Sequence, residues 1–175
     1  MEKNNLRLIV MDNIMDFGKK VDEHLKKMRG IEDENFSFIV PVRMSRFASG
    51  EAKAEILESI RAKDVFILTD VMNHSCTYKM HGYINHKSPD DHFQDIKRVI
   101  SAARGQTDRM TVVMPLLYES RQHKRKGRES LDCAIALQEL ERLGVNHIVT
   151  FDAHDPNVSN AIPNLPFENF YVAHD

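Results

Sequence analysis

Two short stretches carry side chains suited to phosphate and metal chemistry. The first reads Tyr118-Glu119-Ser120-Arg121-Gln122-His123-Lys124-Arg125-Lys126-Gly127-Arg128-Glu129, with five lysines and arginines directly after an apolar run. A guanidinium can grip a phosphate through two parallel N–H bonds, and an ammonium supplies a point charge. A polyphosphate would suit such a loop, and so would plain solvation of a charged surface. The second stretch reads Asp152-Ala153-His154-Asp155-Pro156-Asn157. Carboxylates and imidazole can hold a divalent ion, and Mg²⁺ commonly takes one or two protein ligands, completed by water and phosphate. The competing reading has Asp152 or Asp155 capping a helix, with His154 merely packed.

Other chemistries are disfavoured. His74, His81, His86 and His92 fit no zinc-ligand spacing and are expected to be scattered surface residues. Cys76 and Cys133 form neither a CxxC pair nor a disulfide framework, which points to a reducing compartment, with Cys133 as a core residue. No GxxxxGK[ST] loop occurs, and no GxGxxG follows a strand. The formal net charge of -2 argues against a general nucleic-acid partner. The apolar run 6–11 is too short for a signal segment or a membrane span, so a soluble cytoplasmic protein without a membrane partner is expected.

Elements must position these residues. A strand is predicted at 6–10. A helix capped by Asp12 or Asn13 follows, carrying Ile14, Phe17, Val21 and Leu25 and ending at Gly30. Strands are predicted at 36–42, at 51–60 running into a turn, and at 64–68. A polar stretch covers 73–87. Ser88 then opens a helix, with Pro89 in its first position and Phe93, Ile96, Val99 and Ile100 on its buried face. A strand at 110–114, the charged loop 118–130, a helix over 131–143 and strands at 147–151 and 167–173 complete the pattern. This order implies an α/β fold, a mostly parallel sheet with helices on both faces. Ligands of such sheets gather at the carboxyl ends of strands, here after Leu68, Met114 and Phe151. With 175 residues, 42% of them hydrophobic, one domain is expected.

Several segments, in order, resemble the ribose-phosphate pyrophosphokinases. Arg46-Phe47-Ala48-Ser49-Gly50-Glu51 is similar to that family's Arg-Phe-x-Asp-Gly-Glu. Glu58-Ser59-Ile60-Arg61-Ala62-Lys63-Asp64-Val65-Phe66-Ile67 is similar to its Glu-Ser-Val-Arg-Gly-x-Asp-Val-Phe-Ile. Pro115, Arg121-Gln122, Lys124-Arg125 and Gly127-Arg128-Glu129 resemble its basic loop. Asp152-Ala153-His154 resembles its Asp-Leu-His, and Leu165-Pro166-Phe167-Glu168-Asn169-Phe170 its Ile-Pro-Val-Asp-Asn-Leu.

The resemblance implies a phosphoribosyltransferase-like three-layer sandwich. It implies transfer of the β,γ-pyrophosphoryl group of ATP to ribose 5-phosphate, with Mg²⁺, giving phosphoribosyl pyrophosphate and AMP in dimer-based homohexamers. Phe47 and Glu51 would contact adenine from a neighbouring subunit. Arg121 and Gln122 would hold ATP, and His154 would bind Mg²⁺, with Asp152 fixing its loop. Three departures stand out: Ser49 and His123 replace aspartates, and the stretch 72–91 is longer and more polar than the family pattern. The family's ribose 5-phosphate loop, two Asp followed by Thr-Gly-Gly-Thr, has no counterpart here. Residues 1–175 are therefore expected to form the amino-terminal domain of a two-domain enzyme, inactive alone and without catalytic residues of its own. The alternative is a non-catalytic regulatory relative that acts through oligomer contacts.

Overall fold

The structure, a computed structural model, describes residues 5–172. The chain runs β1 (Leu6–Val10), α1 (Met15–Met28), β2 (Val42–Arg46), β3 (Ala52–Ile56), β4 (Asp64–Leu68), β5 (Thr77–Met80), β6 (Tyr83–His86), α2 (Pro89–Ala103), β7 (Arg109–Met114), α3 (Asp132–Arg142), β8 (His147–Phe151) and β9 (Phe167–Phe170). Short 3-10 turns lie at Asp12–Ile14, Ser120–Gln122 and Pro156–Ala161.

Five strands form a parallel sheet in the order β1-β4-β7-β8-β9. Successive side chains of a strand face opposite ways, which splits the core in two. Leu8, Val10 and Leu68 meet Phe38, Ile14 of the turn before α1, and the apolar side of α1 through Met15, Val21 and Leu25. Ile9, Ile67, Val112 and Ile148 meet Ile96 and Ile100 of α2 and Leu137 and Leu140 of α3. This is the expected α/β sandwich with helices on both faces. Phe17 departs from its expected place: it is about half exposed, at 49%. Gly18 of α1 lies so near β1 that a Cβ there would come within 2.2 Å of a Val10 methyl.

The strand expected at 36–42 does not form as a ladder. Ile39 alone bridges Leu8, through Leu8 N–H to the Phe38 carbonyl (2.8 Å) and Val40 N–H to the Leu8 carbonyl (2.7 Å). Pro41 follows directly, has no N–H, and cannot extend the pairing. Asp22 of α1 accepts from the Phe38 N–H (2.7 Å) and the Ser37 hydroxyl (3.0 Å), fixing this edge from the helix side. The regular strand comes later, as β2 pairs antiparallel with β3.

Neither Asp12 nor Asn13 caps α1. Asn13 is buried, and its amide group donates to Thr69 Oγ1 (3.1 Å), meets His92 Nδ1 (3.0 Å) and accepts from Asp70 N–H (3.0 Å). Burial with complete pairing outweighs a cap worth about 1 kcal/mol. His92 is thus no surface histidine: it is 1% exposed, and its Nε2 lies 2.6 Å from the Asn73 carbonyl. The Asn13 amide nitrogen at Nδ1 and the Asn73 carbonyl at Nε2 fit the tautomer in which Nδ1 accepts and Nε2 donates. The Ser88 cap forms as expected: its hydroxyl accepts from Asp91 N–H (3.1 Å), and the Asp91 carboxylate accepts from Ser88 N–H (3.0 Å).

The polar stretch 73–87 contains the antiparallel hairpin β5–β6. Its tip has positive φ at both central residues, His81 (49°) and Gly82 (85°), as a type I′ turn requires. Below it lies a buried ionic network. Lys87 meets Asp12 (2.7 Å) and Asp95 (3.2 Å), while Asp95 also meets Arg46 (3.3 Å) and Arg98 (2.6 Å). Burial works against the Lys87 ammonium, but Asp12 and Asp95 more than offset it, and its pKa stands above the ordinary lysine value. The strand expected to reach Ala173 ends at Phe170 as β9, and Ala173 lies outside the described residues. Among the described residues, no helix is long and apolar enough to cross a membrane.

Candidate functional site

Because β7 and β8 are parallel neighbours, the loops after Met114 and Phe151 emerge side by side, and Phe151 N–H donates to the Pro115 carbonyl (3.2 Å). Two residues hold these loops in left-handed backbone: Glu119 (φ 54°) and Asp152 (φ 44°). The Ser120 hydroxyl accepts from His154 N–H at 2.9 Å. His123 Nε2 lies 3.3 Å from Asp155 Oδ2, and the His123 and His154 rings have centroids 5.0 Å apart. The structure thereby gathers Arg121, Gln122, His123, Asp152 and His154 at one end of the sheet.

Their roles differ in detail. Arg121, Lys124, Arg125, Lys126 and Arg128 have no carboxylate within ion-pair distance among the described residues, and all are exposed. Gln122 turns inward: its side-chain N–H donates to the Ser130 carbonyl (2.6 Å) and closes the basic loop. Asp155 takes the capping role, accepting from Asn157 N–H at 3.0 Å at the start of the 3-10 turn. That bond, helped by His123 and Lys124, holds its carboxyl below the usual range. Asp152 and His154 are exposed. Asp152 supports the loop through its backbone, its N–H donating to the Phe170 carbonyl (2.9 Å).

Tyr118 anchors the basic loop to α2. Its ring stacks on Phe93 at 4.3 Å, and its hydroxyl donates to Asp90 at 2.6 Å. Burial and the Asp90 carboxylate raise the phenol above its ordinary pKa. Burial, with Asp132 and Asp90 nearby, also raises Glu119. The sequence reading missed Ser120 and Tyr118. A serine opening a turn before Arg121 and an aromatic at the strand exit were the available signals, and neither is distinctive alone.

No group of three or more His, Cys, Asp or Glu among the described residues is placed to hold a metal ion. The exposed His154 ring fits a Mg²⁺ that takes a single protein ligand and fills its other positions with phosphate oxygens and water.

Phe47, Ser49 and Glu51 form a second cluster in the β2–β3 turn. Phe47 N–H donates to the Glu51 carbonyl (2.8 Å), and the Phe47 ring is 51% exposed. The Ser49 hydroxyl donates to Glu51 Oε2 at 2.9 Å, where an aspartate would repel it. Among the described residues, no hydrogen bond or ion pair joins this turn to the 120–123 or 152–155 loops.

Residues 6–144 match the family described as the N-terminal domain of ribose phosphate pyrophosphokinase. The chain belongs to this family. The Asp152–His154 segment lies beyond that match. The chain is 33% identical, over 133 residues, to Ribose-phosphate pyrophosphokinase 1 of Schizosaccharomyces pombe, covering 75% of this chain and 29% of that protein. It is 27% identical, over 131 residues, to Ribose-phosphate pyrophosphokinase B of Dictyostelium discoideum, covering 74% and 36%. The fold is similar to the crystal structure of phosphoribosylpyrophosphate synthetase from Mycobacterium smegmatis, with a TM-score of 0.71 at 21% identity over 95% of this chain and 48% of that one. The chain spans about a third of the length of the curated relatives it matches.

Proposed function

We propose that this domain supplies the Mg-ATP half of a cytoplasmic ribose-phosphate diphosphokinase, whose ribose 5-phosphate site is carried by a second domain. The observation that carries the reading is the Ser120–His154 hydrogen bond, which sets a basic loop without internal ion pairs against an exposed imidazole. Pyrophosphoryl transfer needs positioning and charge neutralisation more than covalent chemistry. Arg121 and its neighbouring lysines and arginines hold the polyphosphate, Gln122 keeps their loop closed, and His154 holds the ion. Mg²⁺ supplies charge neutralisation on the phosphate oxygens. Phe47 and Glu51 read the adenine, with Ser49 orienting the Glu51 carboxylate. Since no hydrogen bond or ion pair among the described residues joins the two clusters, we assign the turn of one copy to the nucleotide held by the loops of another, in a homo-oligomer.

A non-catalytic regulatory relative is the second reading. It is favoured by Ser49 and by the inward-turned Gln122 amide. Calorimetric titration with ATP, with and without Mg²⁺, separates the two. Mg²⁺-dependent binding that weakens about tenfold or more in Arg121→Ala supports the ATP site, as loss of a charge-assisted bond predicts. Absence of binding in the unaltered chain would sink it and leave the regulatory reading.

A further inference from the structure

We propose that the β5–β6 hairpin is a clamp that fixes the Phe47–Glu51 turn for base recognition, with Arg46 and Tyr78 as positioning residues; this rests on the nucleotide reading above. The hairpin is held at its base and pressed onto the turn at its tip. At the base, Lys87 is pinned by Asp12 and Asp95, and its N–H donates to the Cys76 carbonyl (2.8 Å). At the tip, His81 N–H donates to the Ala48 carbonyl (2.9 Å). Met80 sulfur lies so close to Gly50 that a Cβ there would stand 2.7 Å from it.

Arg46 couples the two hairpins. Its guanidinium carbon lies 4.1 Å from the centroid of the Tyr78 ring, and its Nη1 donates to the Gly50 carbonyl at 2.8 Å. The same group reaches Asp91 (3.5 Å) and Asp95 (3.3 Å) of α2. Gly50 stands at φ 94°, so a turn with little intrinsic preference is held from outside at Ala48 and Gly50. An isolated two-stranded hairpin is marginal in water. Docking a second one against it removes conformational freedom before any ligand arrives, which favours binding. The groups left facing outward are the Phe47 ring and the Glu51 carboxylate, the latter held by Ser49.

The test compares Mg-ATP with Mg-tripolyphosphate, which lacks a base, by calorimetry on the full chain. Tyr78→Ala is expected to weaken Mg-ATP about tenfold while leaving tripolyphosphate within about twofold, and Tyr78→Phe, which keeps the ring under Arg46, to restore ATP affinity. Met80→Ala at the tip should shift ATP alone in the same direction, which covers the case of Tyr78→Ala failing to fold. Equal losses for both ligands, or unaltered ATP binding in folded variants, would overturn the clamp. An unaltered chain that binds tripolyphosphate without preferring ATP would also overturn it while sparing the phosphate loops. Binding of neither ligand would remove the nucleotide reading and the clamp's purpose together.

Discussion

The Ser120 hydroxyl oxygen accepts the main-chain N–H of His154 at 2.9 Å, joining two loops 34 residues apart in sequence. With the His123–Asp155 pair (3.3 Å) and the His123–His154 ring contact, this bond sets the imidazole beside the basic loop. Ser120→Ala should weaken Mg-ATP binding about fivefold, since one neutral hydrogen bond is worth about 1 kcal/mol. Its Mg²⁺ dependence should survive. Calorimetry with and without the ion checks both statements.

His154→Ala should behave differently. The ring is exposed and makes no hydrogen bond among the described residues, so thermal stability should stay within about 0.5 kcal/mol of the unaltered protein. Mg²⁺-dependent nucleotide affinity should fall, while the weaker metal-free binding remains. Loss of stability with unchanged affinity would make His154 a packing residue.

Asp95 is the hub on which Lys87, Arg46 and Arg98 converge, and its side chain is 1% exposed. Asp95→Asn leaves those cations without their shared counter-charge in a buried place. Breaking such a pair from one side costs about 3–5 kcal/mol. Urea unfolding should show a loss near the lower end, since Arg98 and Arg46 reach solvent in part.

Alkaline pH should destabilise the fold in two stages. Burial pushes the Cys133 thiol from 9.0 up to about 12. Above about pH 9 the unfolded chain therefore gives up that proton while the folded chain keeps it, and stability falls as pH rises. Lys87, raised from 10.5, and Tyr118, raised from 10.0, act in the same direction at higher pH. For Lys87 the pairing with Asp12 and Asp95 is fully present below its unfolded pKa and is lost as pH climbs through the folded one. Cys76, also raised from 9.0 by burial and the nearby Asp12 charge, acts beside Cys133, so thermal melts across this range should show Cys133→Ala shrinking the first stage, near pH 9, and leaving the second.

The main sheet was legible because its strands are apolar runs flanked by helix signals, and Ser88-Pro89 with Asp91 marks a helix start by local chemistry. The gathering of Arg121 with His154 was legible from loop position alone, since parallel neighbours must open their loops at one end. What stayed hidden depends on partners distant in sequence. Asn13 reads as a cap until His92 and Thr69 are brought to it. His92 reads as one of several surface histidines until Asn13 and Asn73 enclose it. The β5–β6 hairpin turns at His81-Gly82, where Asn-Gly or Asp-Gly would have announced it. The 36–42 segment has strand composition, and Pro41 decides against it.

The closeness of Gly18 to Val10 makes the helix-to-strand spacing on that face a fixed gauge. Even an alanine methyl would have to displace α1 outward by roughly 1.5 Å to reach ordinary contact distance. Asp22 rides on the same helix and holds Phe38 and Ser37 by its carboxylate. Displacing the helix would draw the 38–40 segment away from Leu8, so the harm from a single added carbon would surface twenty residues downstream, at the margin of the sheet.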